Sequence, residues 1–163
     1  MSSTRLDIAQ VGAPVFGPAG AIQYNVAASA TLIYPGEPVL NALGGVAVTP
    51  MATNKPVVAT DYLVGIATTT STNTAGAAGK VYVQPILPGQ IWSIDPNSAA
   101  AWDTQSEYDA LVGKRVLMDL TSGKYTILAT DGATYGCVIL AKNVKQDPGK
   151  VYFTFRAGVS TLS

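Results

Sequence analysis

Residues 148–156 read Pro-Gly-Lys-Val-Tyr-Phe-Thr-Phe-Arg, and two rules of chain geometry act on them in succession. Proline presets φ at the first central position of a turn, and glycine accepts the positive φ that a type II turn asks of the next. Beyond the turn, Val151, Phe153 and Phe155 fall on one side of an extended chain, with Tyr152, Thr154 and Arg156 on the other. The stretch predicts a tight turn launching a strand with one core face and one face open to solvent or a partner.

The same phrase, Pro-Gly followed by a polar or charged residue and an apolar stretch, begins at Pro35 and Pro88. Other strands are expected at 28–34, 37–40, 45–49, 57–59 and 65–69. Lys80 to Pro85 alternates Val81 and Val83 against Tyr82 and Gln84, which reads as a half-buried strand. Gln90 to Ile94 and Tyr135 to Ala141 add two more. Residues 115–120 and 124–129, joined by Thr121-Ser122-Gly123, form the clearest hairpin. One helix interrupts the strands near 104–112. Thr104-Gln105-Ser106-Glu107 is a capping box, Tyr108, Leu111 and Val112 share a face, and Gly113 stands where the helix should end. Short strands with turns at this spacing predict an all-β domain, a closed barrel or a sandwich, spanning 25–163.

Two stretches fit no period. Residues 1–24 mix Pro14, Pro18 and glycines with apolar Leu6, Val15, Phe16 and Ile22. Extended, they would reach about 80 Å, so they read as a disordered tail or, as the apolar residues favour, an N-terminal arm that orders against a neighbour. Thr68 to Gly79, TTTSTNTAGAAG, is too small and polar to supply a core and reads as an exposed, mobile loop. It lacks the GxxxxGK spacing of a phosphate-cradling loop, and Lys80 is followed by Val81 instead of Ser or Thr.

The chemistry the residues permit is narrow. The chain has no histidine, one cysteine and 20 charged side chains, ten of each sign. Ser or Cys nucleophiles ordinarily need a histidine base, and zinc and haem sites lose their usual ligand, so no catalytic, metal or cofactor site is expected. Asp103, Glu107 and Asp109 are the one conceivable carboxylate set, and the capped helix accounts for them. Lys142, Lys145, Lys150 and Arg156 with Tyr152 and Phe155 come nearest to a nucleic-acid surface. Asp147 interrupts them and the net charge is zero, so no nucleic-acid partner is expected. Trp92 and Trp102 leave carbohydrate stacking open. No apolar run approaches a membrane span and the N-terminus lacks a signal-peptide core, so neither membrane insertion nor secretion is expected. Cys137, within Gly-Cys-Val-Ile-Leu, reads as a small buried strand residue.

The charges are unevenly placed. Residues 1–79 hold Arg5, Asp7, Glu37, Lys55 and Asp61, whereas thirteen follow Ala100. At roughly 380 Å² of folded surface per charge, the chain is sparser than most freely soluble domains, and its pale half is the better candidate for contact with protein.

The series Tyr34-Pro35-Gly36-Glu37-Pro38-Val39, Gly45-Val46-Ala47-Val48-Thr49, Leu63-Val64-Gly65-Ile66-Ala67, Gly79-Lys80-Val81-Tyr82-Val83 and Pro148-Gly149-Lys150-Val151 resembles the decoration, or cement, proteins of tailed-bacteriophage capsids. That resemblance implies a small, commonly trimeric β-barrel or β-tulip that docks on the outside of an expanded icosahedral shell and reinforces it. The expected partners are the major capsid protein and further copies of the chain in a homotrimer, on the outer surface of a virion assembled in the host cytoplasm. The expected contacts are the arm residues Leu6, Val15, Phe16 and Ile22. The alternative is a carbohydrate-binding or host-adhesion module on a virion or cell surface.

Overall fold

A computed structural model describes residues 9–10, 20–41, 46–87 and 89–159. Among these residues the chain is mainly β with one short α-helix, so the all-β reading holds. After β1 (Ala9–Gln10), five strands form one antiparallel sheet: β2 (Ile22–Val26), β3 (Pro38–Asn41), β4 (Val48–Pro50), β5 (Tyr62–Ala67) and β6 (Gly79–Pro85), in the order β2-β6-β5-β3-β4. The sheet curls into a half-barrel that brings its edge strands β2 and β4 near each other. Inside lies a small core of Val26, Ile33, Val39, Val48, Val81 and Val83. β-Branched side chains suit such a surface because their stiff χ1 packs well against a pleated backbone.

The second half makes β7 (Trp92–Ile94), β8 (Arg115–Val116), a hairpin of β9 (Met118–Thr121) and β10 (Lys124–Ile127), then β11 (Cys137–Ile139) and β12 (Val151–Phe155). A second five-stranded sheet runs β1-β7-β12-β11-β8. With the hairpin, it covers a larger core that includes Trp92, Trp102, Tyr108, Met118, Tyr125 and Phe153. Edge-on aromatic pairs knit this core, with Phe153 and Phe155 at 5.2 Å and Trp102 and Tyr108 at 5.7 Å between ring centroids. The hairpin turn places Ser122 at φ 51° and Gly123 at φ 77°, the left-handed pair a two-residue turn needs to match strand twist.

β5 divides the two cores through a bulge. Val39 opposes Gly65 and Leu40 opposes Leu63, so Val64 has no residue opposite it. The extra residue reverses the alternation. Leu63 and Ile66 therefore enter the larger core, while Val64 and Ala67 enter the barrel core. Gly65 permits the crowding, because a Cβ there would lie 2.0 Å from the Gln84 carbonyl oxygen.

Several expectations change. The arm boundary at residue 24 falls inside β2, and residues 9–10 pair with β7 as a strand. The strand expected at 28–34 is irregular, and that at 57–59 is reduced to a bridge between Val57 and Tyr135. The first strand of the expected hairpin splits, since β8 pairs with β11 and only β9 pairs with β10. The alternation of β12, the capping box on helix α1 (Gln105–Asp109) and the buried position of Cys137 match the sequence reading.

Candidate contact surface

The outer side of the curled sheet follows from the inward valines. Val81 and Val83 point into the barrel, so Lys80, Tyr82 and Gln84 point out, and antiparallel pairing sets Gln23 of β2 beside Tyr82. Across the sheet, Leu32 and Tyr34 flank the buried Ile33 and are exposed. Tyr82 and Tyr34 keep 44% and 42% of their surface open. The Tyr82 side chain is not loose. Lys80 Nζ donates to Gln23 Oε1 at 2.9 Å, and Gln23 Nε2 donates to the Tyr82 hydroxyl at 2.8 Å. A chain of three side chains thus fixes the Tyr82 hydroxyl before any partner arrives, which reduces the ordering cost of contact.

Residues 68–74 widen this face, against the expectation of a loop packed on little. They run back along β6, with Thr68 N–H donating to the Tyr82 carbonyl at 2.8 Å and Tyr82 N–H to Thr69 Oγ1 at 3.1 Å. On their other side, Ser71 N–H donates to the Ile33 carbonyl at 2.8 Å, and Ile33 N–H returns a bond to Ser71 Oγ at 3.0 Å. Asn73 Nδ2 donates to the Ala30 carbonyl at 2.7 Å. Ser71 and Asn73 are buried, while Thr70, Thr72 and Thr74 face outward. Threonine hydroxyls replace the missing ladder partners, so the segment serves as a strand without strand geometry. Gly79 is needed where β6 leaves this segment, because a Cβ there would meet Asn73 N at 2.0 Å.

Charge is nearly absent from this half. Residues 20–79 contain Glu37, Lys55 and Asp61 alone. Asp61 is buried, accepts from Lys55 Nζ at 2.9 Å and from Val57 N–H at 2.6 Å, and so ties down the 55–61 loop. Glu37 is 8% exposed. Burial pushes its carboxyl above the ordinary glutamate value, and the Tyr34 N–H, 2.9 Å from Oε2, pulls the other way. Lys80 is therefore the one charged residue on β2, β6 and the 68–74 segment.

Of the expected contact residues, Leu6, Val15 and Phe16 lie outside the described residues. Ile22 opens β2 opposite Val83, on the barrel-facing side, yet stays 43% exposed at the sheet edge. The other candidates have structural work. Thr104 and Glu107 form the capping box, with Thr104 Oγ1 donating to Glu107 Oε2 at 2.7 Å. The Asp103 carboxyl, hydrogen-bonded to Glu107, is held above its usual range while Glu107 is held below, and both are exposed. Trp92 and Trp102 are buried, so neither presents a face to a sugar. The basic set is dispersed among internal partners. Lys142 Nζ bonds the Asp147 carbonyl and lies over the Tyr108 ring at 5.1 Å, Lys150 bonds Asp95 at 2.8 Å, and Arg156 bonds the Ala133 and Tyr135 carbonyls. Among the described residues, no group of three or more His, Cys, Asp or Glu side chains is placed to hold a metal.

The outward face of Tyr82 was readable from the alternation of 80–85, whereas Gln23, Leu32 and Tyr34 came from stretches read as arm and strand. Comparison of the chain with protein-family models, with curated proteins and with solved structures finds no match.

Proposed function

We propose that this chain is a structural virion protein that binds the outer surface of an assembled tailed-phage capsid and stabilises it, acting as a homotrimer with the major capsid protein as its partner. The observation that carries the reading is the outer face around β2, β6 and residues 68–74, which is ordered by its own hydrogen bonds and carries one charge, Lys80. Tyrosine, threonine and glutamine supply both donors and acceptors there without the desolvation cost of ions. Tyrosine is also among the residues that dominate interface energies. A stable contact covers about 800 Å² per partner.

The mechanism is linkage. A protein that binds several assembled subunits, but not dispersed ones, adds its binding free energy to the stability of the assembly. Joining three copies raises the effective concentration of the second and third contacts. The reading assigns the chain no catalytic step and no cofactor. The test is co-sedimentation of the purified protein with expanded capsids lacking decoration, followed by heating of the particles. Saturable retention together with a higher disruption temperature supports the reading, and absence of retention rejects it. The exposed Tyr34 and Tyr82 favour one second reading, glycan binding on a virion or cell surface, which a glycan array tests directly.

A further inference from the structure

Strand β7 has an unusual need. Trp92, Ser93 and Ile94 are 4%, 5% and 1% exposed, so the strand is buried on both faces although it lies one place from the sheet edge. β12 satisfies one side of its backbone through Ile94, Ser93 and Trp92. The other side is met by β1, which pairs Ala9 with Ser93 and Gln10 with Trp92. Backbone groups in so enclosed a strand require partners, so the β7 edge must be filled.

Nothing in that pairing specifies which copy fills it. β1 has two residues, and the next strand, β2, lies at an edge of the other sheet. The 11 residues between, 11–21, include Gly12, Pro14, Gly17, Pro18 and Gly20. Extended, 11 residues span up to about 36 Å, comparable with the width of a domain whose radius of gyration is about 15 Å. The connection is long enough to reach a neighbouring copy, and the same two residue pairs form there with no new chemistry.

We propose that β1 is an exchanged strand: in the self-associated protein, Ala9–Gln10 of one copy fills the β7 edge of the next. The inference rests on the self-association included in the proposed function and is independent of capsid binding. Within one chain, a tether of this length gives β1 an effective concentration in the millimolar range. In a closed ring of copies the neighbouring edge is presented at a similar local concentration, and each exchange makes separation of the ring require loss of a strand from a buried edge.

The experiment uses the full chain. Ala9→Cys and Ser93→Cys are combined, with each single variant as a control and the buried Cys137 retained, and the folded protein is oxidised with diamide. Exchange predicts covalent dimers and trimers on a non-reducing denaturing gel, collapsing to monomer with reductant. It also predicts a disulfide between copies when the two single variants, differently tagged, are refolded together. An internally linked monomer as the sole product overturns the proposal. So does the absence of any cross-link, because β1 then does not lie against β7. Light scattering of the unmodified chain separates this result from the broader reading: a trimer with internally linked chains keeps self-association and removes exchange, whereas a monomer removes both.

Discussion

Ser71 and Ile33 hold each other by two hydrogen bonds, Ser71 N–H to the Ile33 carbonyl at 2.8 Å and Ile33 N–H to Ser71 Oγ at 3.0 Å. Ser71 Oγ also donates to Asn73 Oδ1 at 2.7 Å, and the three residues are buried. Ser71→Ala therefore strands an N–H inside the barrel wall, at a cost of about 1–3 kcal/mol. The expected outcome is a melting temperature lower by about 2–10 °C. Replacing residues 68–79 with a short Gly-Ser turn should cost more, since the whole back-pairing segment is lost. An unchanged melt for both variants would show that the segment contributes no stability.

How far the chain could be read follows from such contacts. β12 was legible because its alternation and Pro-Gly turn are local, and the helix because its capping box lies within four consecutive residues. The segment 68–79 was not. Ser71 finds its partner 38 residues away and Asn73 finds Ala30 43 residues away, and no local pattern of threonines and alanines encodes those meetings. Leu63-Val64-Gly65-Ile66-Ala67 reads as an apolar strand, but the bulge that sends alternate pairs into two cores depends on the register with β3. The contact face was legible only in part, as a half of the chain poor in charge. Its tyrosines became recognisable once the direction of Val81 and Val83 was known.

Gly65 carries that bulge, and its backbone lies against Gln84. Gly65→Ala places a methyl group 2.0 Å from the Gln84 carbonyl oxygen, a backbone atom that moves only if β5 and β6 separate. Overpacking of this kind costs about 1–3 kcal/mol or more. Chemical denaturation should show a lower midpoint than the parent, accompanied by poorer soluble yield. A midpoint within error of the parent would mean that the two strands are not so closely apposed.

Tyr108 joins the helix to the ends of β11 and β12. Its hydroxyl accepts from Tyr152 N–H at 2.8 Å and donates to the Leu140 carbonyl at 3.0 Å, and burial pushes its pKa up to about 12. Tyr108→Phe keeps the ring contact with Trp102 but leaves both backbone groups unmatched, costing about 1–3 kcal/mol. Ultraviolet titration of the parent should show Tyr108 and Tyr125, both pushed up by burial, ionising well after the exposed tyrosines, and Tyr108→Phe should lose the amplitude of one tyrosine from that late step. A late amplitude unchanged in Tyr108→Phe would show that Tyr108 ionises with the exposed tyrosines.

Glu37 makes stability depend on pH in a stated direction. Its folded pKa is raised by burial above the unfolded value, so the protonated form is the one the fold favours. The associated stability is fully present below the unfolded pKa, near 4.5, and is lost as pH rises through the higher folded value. Tyr34 N–H and the nearby Tyr125 hydroxyl, itself bonded to the Met51 carbonyl, face the carboxyl, and no cation among the described residues does. Glu37→Gln removes this titration. The melting temperature of Glu37→Gln relative to the parent should therefore rise between pH 4.5 and pH 7, and a difference that stays flat or reverses would place the carboxylate in a more polar setting than the fold gives it.

The outer face of the curled sheet supplies the functional test. Tyr82 is exposed and its ring is outside both cores, so Tyr82→Glu leaves the fold intact while putting a carboxylate at the centre of a surface whose one charge is Lys80. An ion buried in a contact without a dedicated partner is costly, and truncating a central tyrosine alone removes about 2 kcal/mol when it is a hot spot. Retention of Tyr82→Glu on undecorated expanded capsids should fall at least about tenfold, because 1.4 kcal/mol already corresponds to a factor of ten. Lys145→Glu, an exposed change on the charged half, provides the comparison and should bind like the parent. Both variants are first checked for an unaltered circular dichroism melt. Equal loss in the two would indicate a general electrostatic attraction, and full retention of Tyr82→Glu would move the contact away from this face.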